Sequence, residues 1–356
     1  MRGTRITRWE ARQAVWLLGS LAALLGGAWF VPAITPPQPE EPYATIPGLA
    51  WRHDDAAAVS HFLASLRLHG GVLCLGTSET TTLAGGNWPD FLNAVEPQHA
   101  VLAGAGRTAG VHLPVLAQHR EELRGLQLIY LINPVYWNAE HGPVNPAYWT
   151  RYVDPRLLAP RADVAEDIWQ PVNRARQALP LLERLSTASL LRALRAKWFN
   201  DIRHRLQPQT FTSAFRPIQR WTGAVPEGPA PRADLKRGID STFHHAEWFR
   251  PVSSNPEVWE ARDEELRAFI RACDQWGVEA TFVLGPYNAP FIRWHAPEAE
   301  AGYEQLGERL ADLLDSEQAT WIDARDVSTV PGAFRDHQHH SSYGAALIAA
   351  KLLNRP

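Results

Sequence analysis

Short continuous apolar runs, each handed over to Gly, Pro or Asn or to a charged turn, recur along the chain: "VLCLG" (72–76), "AVLAGAG" (100–106), "LQLIYLINP" (126–134), "ATFVLGP" (280–286) and "ATWIDA" (319–324). Runs of that length predict strands buried on both faces. Segments with helical apolar spacing lie around them: 54–68, ending at Gly70-Gly71, then "DEELRAFIRACDQWG" (263–277), "EAGYEQLGERLADLLDSEQ" (300–318) and "AALIAAKLL" (345–353). Strand and helix alternate, so the predicted class is α/β, with a mostly parallel central sheet covered by helices on both sides. Between about 145 and 250 the alternation stops. There "DVAEDIWQPVNRARQALPLLERL" (163–185) and "ASLLRALRAKWFNDIRHRL" (188–206) read as helices, and the Pro- and Gly-rich "RPIQRWTGAVPEGPAPRADLKRG" (216–238) as a loop. This stretch predicts a helical cap inserted into the sheet domain, not a second α/β domain.

The beginning of the chain has a different pattern. Arg2, Arg5, Arg8 and Arg12 precede an uncharged run, residues 14–34, about the ~20 residues that a helix needs to cross a bilayer. A transmembrane anchor over 14–34 is predicted, with residues 1–13 cytoplasmic and everything after the span outside the cytoplasm, because positive charge stays inside. Trp16 and Trp29 would lie at the two interfaces. A cleaved signal peptide is the alternative, given the small residues of "GGAWF", although the apolar run exceeds the ~7–15 residues of a signal core. The Pro-rich stretch 35–50 then reads as a stiff linker, and 51–356 as one extracytoplasmic domain.

Composition narrows the partners. The net charge of -3 and the scattered arginines provide no basic stripe, so nucleic acid is not expected as a partner. Only Cys74 and Cys273 are present; both sit in apolar settings and predict buried free thiols in preference to a disulfide. Neither a cysteine framework nor a zinc spacing is found.

Open parallel sheets bind ligands at the carboxyl ends of their strands. At the first such end stands Ser78, in "GTSET", which reads equally as an exposed nucleophile or as the cap of a following helix. Near the C-terminus, "RDHQHHSSYG" (335–344) places Asp336 three residues before His339 on a loop entering the last helix. A carboxylate can orient the imidazole and stabilise its cation, and the imidazole can take a serine proton. The same loop has a metal-binding reading, since imidazoles with a carboxylate suit zinc or iron. Asn133 and Asn288, at two other strand ends, suit either amide donors in a pocket or plain turn residues.

Taken together, these blocks resemble SGNH-type hydrolases and acyltransferases, and most closely the D-alanyl-lipoteichoic acid biosynthesis family DltD. Gly76-Thr77-Ser78-Glu79 resembles its G-x-S-E block, Asn133-Pro134-Val135-Tyr136-Trp137 its Pro-aromatic block, and Gly285-Pro286-Tyr287-Asn288 its third block. Asp336 and His339, with Gly344 five residues after the histidine, resemble its final D-x-x-H block. The resemblance implies an SGNH-like three-layer sandwich with a Ser78–His339–Asp336 triad. It implies an oxyanion site drawn from Ser78 N–H and Gly104 or Gly106, and no metal or organic cofactor. The implied activity is transfer of an acyl group, D-alanyl in the family, through an acyl-serine to or from a hydroxyl of a cell-envelope polymer. Implied partners are a membrane acyltransferase of the MBOAT type and a D-alanyl carrier protein. Two other readings stand beside it: a polysaccharide O-acetyltransferase or deacetylase on the same fold, and a non-catalytic scaffold. Thr77, Asn133 and His340 depart from the family pattern. The Arg- and Trp-rich, nearly Lys-free composition also differs from that of low-GC Gram-positive bacteria; for a Gram-negative source the expected acceptor is a surface or periplasmic glycan other than teichoic acid.

Overall fold

The computed structural model describes residues 13, 15–20, 22–23, 43–45, 56–68, 70–80, 99–103, 107–137, 153, 155–179, 216–217, 256–334 and 338–353. Five strands form one sheet: β1 (Val72–Gly76), β2 (His99–Ala103), β3 (Gln127–Ile132), β4 (Glu279–Leu284) and β5 (Trp321–Asp323). Their spatial order is β2-β1-β3-β4-β5, and every neighbouring pair is parallel. All five apolar runs are therefore strands. The longer helices among the described residues of the sheet domain are α1 (Ala56–Leu68), α2 (Ala109–Leu116), α3 (Glu166–Ala178), α4 (Pro256–Gln275), α5 (Ala289–His295), α6 (Glu300–Ser316) and α7 (Ser342–Leu353).

Strand periodicity divides the core into two layers. Val72 and Cys74 of β1, with Ile129, Leu131 and Val283, pack on Ala345, Ala346, Ile348, Ala349 and Leu352 of α7. The alternate residues Leu73, Leu75, Leu128, Tyr130, Ile132, Phe282 and Leu284 join a larger cluster that includes α1, α2, α4 and α6. Helices thus cover both faces of an all-parallel sheet, as the strand-helix alternation predicts. Each fully buried Leu, Ile or Phe in these layers contributes on the order of 1.5–3 kcal/mol of transfer free energy. Cys74 and Cys273 are free and buried, and desolvation pushes the Cys273 thiol well above its usual range.

Three local differences from the sequence reading have physical causes. The helix α2 was not expected. All eight of its residues are buried, so "AGVHLPVL" has no polar face from which a helical period can be read. Next, α4 begins at Pro256, not at Asp263, because proline suits a first helical turn that needs no N–H. Finally, α3 stops at Ala178, and Leu179 turns extended with φ -74° and ψ 126°. Pro180 follows, and the residue before a proline is pushed out of the helical region.

Within the predicted insertion, α3 buries Ile168, Trp169, Val172 and Ala175 in the larger cluster, and Trp169 Nε1 donates to Ala159 O at 3.1 Å. Arg216–Pro217 pairs antiparallel with Tyr43–Thr45 of the linker stretch; the predicted helix 188–206 lies outside the described residues. Within the predicted span, residues 15–20 and 22–23 are helical, with Val15, Trp16, Leu17 and Leu18 between 63% and 77% exposed. No helix among the described residues is long and apolar enough to cross a membrane. The rest of the span lies outside them.

Candidate active site

The strand order reverses direction between β1 and β3, and in open α/β sheets a crevice opens at the carboxyl ends of strands flanking such a reversal. Ser78 follows β1 there. Gly76 pairs with Leu131 at the end of the β1–β3 ladder; Ser78 and Asn133 each follow two residues beyond that pair, at the carboxyl ends of neighbouring strands. The turn that carries Ser78 requires glycine at its start. Gly76 has φ +144°, and a Cβ there would stand 2.2 Å from Thr80 Oγ1 and 2.9 Å from Leu131 O. Thr80 N donates to Thr77 O at 3.2 Å, which closes the turn, and Thr77 Oγ1 donates to the Glu79 carboxylate. Both neighbours of Ser78 are buried, Thr77 at 3% and Glu79 at 0% exposure. From 71 to 80, Ser78 alone is more than marginally exposed.

His339 arrives from the other end of the chain. Its Nε2 lies 2.9 Å from Ser78 Oγ, across 261 residues of sequence. The incoming and outgoing arms of its loop are joined by an antiparallel bridge between Phe334 and His340 and by Ser341 N donating to Ala333 O at 2.9 Å. His340 is 2% exposed, its ring 5.2 Å from that of Phe334. Of two consecutive histidines, then, one is buried against a phenylalanine and the other meets the serine. Gly344 lets α7 start against this loop, for a Cβ there would come within 2.0 Å of Ala333 O. A serine hydroxyl is a weak nucleophile alone, and an imidazole at hydrogen-bond distance can remove its proton as attack begins.

The remaining predicted site residues divide into two groups. Asn133, 6% exposed, accepts at Oδ1 from Val135 N at 3.0 Å. Asn288, 1% exposed, is the N-cap of α5 and accepts from Phe291 N at 3.1 Å, so its carbonyl end has the turn role. Gly285, one strand further along, donates to Ile132 O at 2.9 Å; a Cβ on it would meet that oxygen at 2.6 Å. Gly104, Gly106 and Asp336 lie outside the described residues. Among the described residues, no three His, Cys, Asp or Glu side chains converge as metal ligands.

Two buried polar groups near the site escape the sequence reading. His112, on the first turn of α2, is 0% exposed. Burial first and the Arg107 charge second hold its pKa down to about 3, against hydrogen bonds with the backbone of Gly76 and Arg107. Four residues before it on α2's leading edge, Thr108 Oγ1 donates to Glu265 Oε2 at 3.1 Å and accepts from Arg262 Nη1 at 2.8 Å. Arg262 and Glu265, each 1% exposed, pair at 2.8 Å. Their i,i+3 spacing is legible, but their burial is not. Gly110 leaves the room, since a Cβ there would lie 2.5 Å from Glu265 Cδ. No protein-family model matches the chain, and no curated protein is significantly similar to it.

Proposed function

We propose that this chain is a serine-dependent acyltransferase or esterase of the DltD type, on an SGNH-like sandwich, acting on a cell-envelope polymer outside the cytoplasm. The contact between Ser78 Oγ and His339 Nε2 at 2.9 Å carries the reading. In the first half-reaction, His339 Nε2 takes the Ser78 proton as Oγ attacks the acyl carbonyl. The tetrahedral intermediate collapses, the donor's leaving group takes that proton from His339, and an ester on Ser78 remains. In the second half, an acceptor hydroxyl gives its proton to His339 and attacks the acyl-serine; collapse returns the proton to Ser78 and releases the new ester. With water as acceptor the same steps are hydrolysis.

Asp336 is assigned to hold the imidazole and balance its charge. Oxyanion donors aimed at the intermediate are commonly worth ~10²–10³ in rate each. Candidates are the Ser78 N–H, the Asn133 amide just past the end of the neighbouring strand, and the glycines at 104 and 106. The arginines before residues 14–34 and the exposed apolar helical residues Val15, Trp16, Leu17 and Leu18 favour a single-pass anchor with the domain outside the inner membrane. An MBOAT-type acyltransferase and a D-alanyl carrier protein are the proposed partners, D-alanyl the proposed acyl group, and a non-teichoic envelope glycan the proposed acceptor.

The test is Ser78→Ala in the full-length protein, with mass analysis of ester groups on the envelope polymer and hydrolysis of p-nitrophenyl acetate by the purified chain. Loss of at least ~10³-fold in rate is expected. Unchanged esterification by a stably folded Ser78→Ala protein sinks the catalytic reading, and an acetyl product mass replaces D-alanyl with acetyl.

A further inference from the structure

Beside the backbone bonds that join the two arms of the His339 loop, one side chain pins its base. Ser341 Oγ donates to Gly332 O at 2.5 Å and accepts from Gly344 N at 3.1 Å. The first bond ties the outgoing arm of the loop to the incoming one. The second caps the first turn of α7, whose first intrahelical bond runs from Ala345 N to Ser341 O at 2.9 Å. One hydroxyl therefore joins three segments: residues 332–334, the stretch 338–341, and α7.

The geometry leaves that junction little alternative. Ser341 is 4% exposed, so solvent cannot take over for its oxygen. Gly332 has φ +79°, and its carbonyl direction follows from that backbone conformation. Gly344 lies flush against Ala333 O, which keeps α7 from moving further towards the incoming arm. A hydroxyl supplies one donor and two acceptor lone pairs, and both roles are used here by backbone groups. Two residues upstream of this clamp stands His339.

We propose that Ser341 is the positioning residue for His339: its hydroxyl sets where the imidazole stands relative to Ser78, and it touches no reacting atom itself. The proposal rests on the serine-hydrolase reading above. Releasing the clamp lets the loop shift by a fraction of its own width, and a misplacement of about 1 Å in a catalytic group can cost ~10²-fold in rate.

The experiment compares the full-length protein with Ser341→Ala and Leu352→Ala. Leu352 lies on the same helix and in the same apolar cluster, so its truncation destabilises α7 without touching the clamp. Each protein is assayed at 15 °C for kcat and KM with p-nitrophenyl acetate, and for the rate at which diisopropyl fluorophosphate labels Ser78. Ser341→Ala is expected to lose about 10- to 100-fold in kcat and in labelling rate, with KM within about twofold. Leu352→Ala is expected to lower Tm at least as much and to keep kcat within about twofold of wild type. If Ser341→Ala does not accumulate folded, Ser341→Cys carries the same test, because a thiol fills the space but donates weakly. A clamp variant with kcat within twofold of wild type overturns the proposal, and so does an equal loss of kcat in Leu352→Ala. Ser78→Ala is the reference: if it keeps full activity, the catalytic reading falls and this proposal with it, whereas an inactive Ser78→Ala beside an unimpaired Ser341→Ala overturns this proposal alone.

Discussion

His112 makes the fold sensitive to acid in a way that can be measured. Its ring is fully buried on α2, with its pKa held at about 3 against an ordinary 6.5, so the folded protein keeps it neutral at any pH well above 3. The unfolded chain instead protonates this imidazole once the pH drops below about 6.5. Unfolding therefore takes up a proton in that window, and the stability contribution, complete above pH 6.5, declines as the pH falls towards 3. At pH 5 the difference in proton binding is worth roughly 2 kcal/mol, and over the whole window roughly 5 kcal/mol, at 1.36 kcal/mol for each tenfold change. The assay is urea unfolding of wild type and His112→Gln at pH 8, 7, 6 and 5. Other titrating groups are common to both proteins and cancel in the difference. The variant is expected to be less stable at pH 8, and its deficit to shrink by roughly 2 kcal/mol by pH 5. Parallel profiles for the two proteins would refute the assignment of a buried neutral imidazole.

Two further stability predictions follow from the same region and from α7. Arg262→Ala leaves the buried Glu265 carboxylate without its guanidinium, and a loss of about 3–5 kcal/mol in urea unfolding is expected; the double replacement Arg262→Met with Glu265→Leu should recover most of it, because no charge is then left buried. Gly344→Ala forces a Cβ into Ala333 O, and the overpacking should cost at least about 1–3 kcal/mol, read as a lower midpoint in thermal unfolding monitored by circular dichroism.

Much of the sheet was legible because its signals are local. The stretches 72–76, 128–132 and 282–284 are apolar without interruption since both faces of a central parallel strand are buried; β5, at the edge and half-exposed, keeps a shorter run. The glycine at 76 was legible as a turn, and its φ of +144° accounts for it. What failed to register was context. The α2 segment is so thoroughly buried that its helical period vanished, and His112 within it looked like any histidine. Arg262 and Glu265 belong to a charged stretch, "EARDEELR" (260–267), that reads as a solvated face, yet packing buries both of them and Asp263 as well. For Asn288, two roles were open from the sequence, and the hydrogen bond to Phe291 N selects the helix cap for its carbonyl.

By itself, then, the sequence determined the α/β class, the five strands, the turn at Gly76, and the blocks in which a nucleophile and its base were to be sought. Those properties depend on short-range periodicity and on what glycine and proline permit. Tertiary structure alone brought Ser78 Oγ and His339 Nε2 into contact, buried His340 against Phe334, and tied the loop to α7 through Ser341. Such contacts depend on strand order, parallel register and the burial of whole faces, which are settled by sums over the folded chain and leave no mark in any single stretch of it.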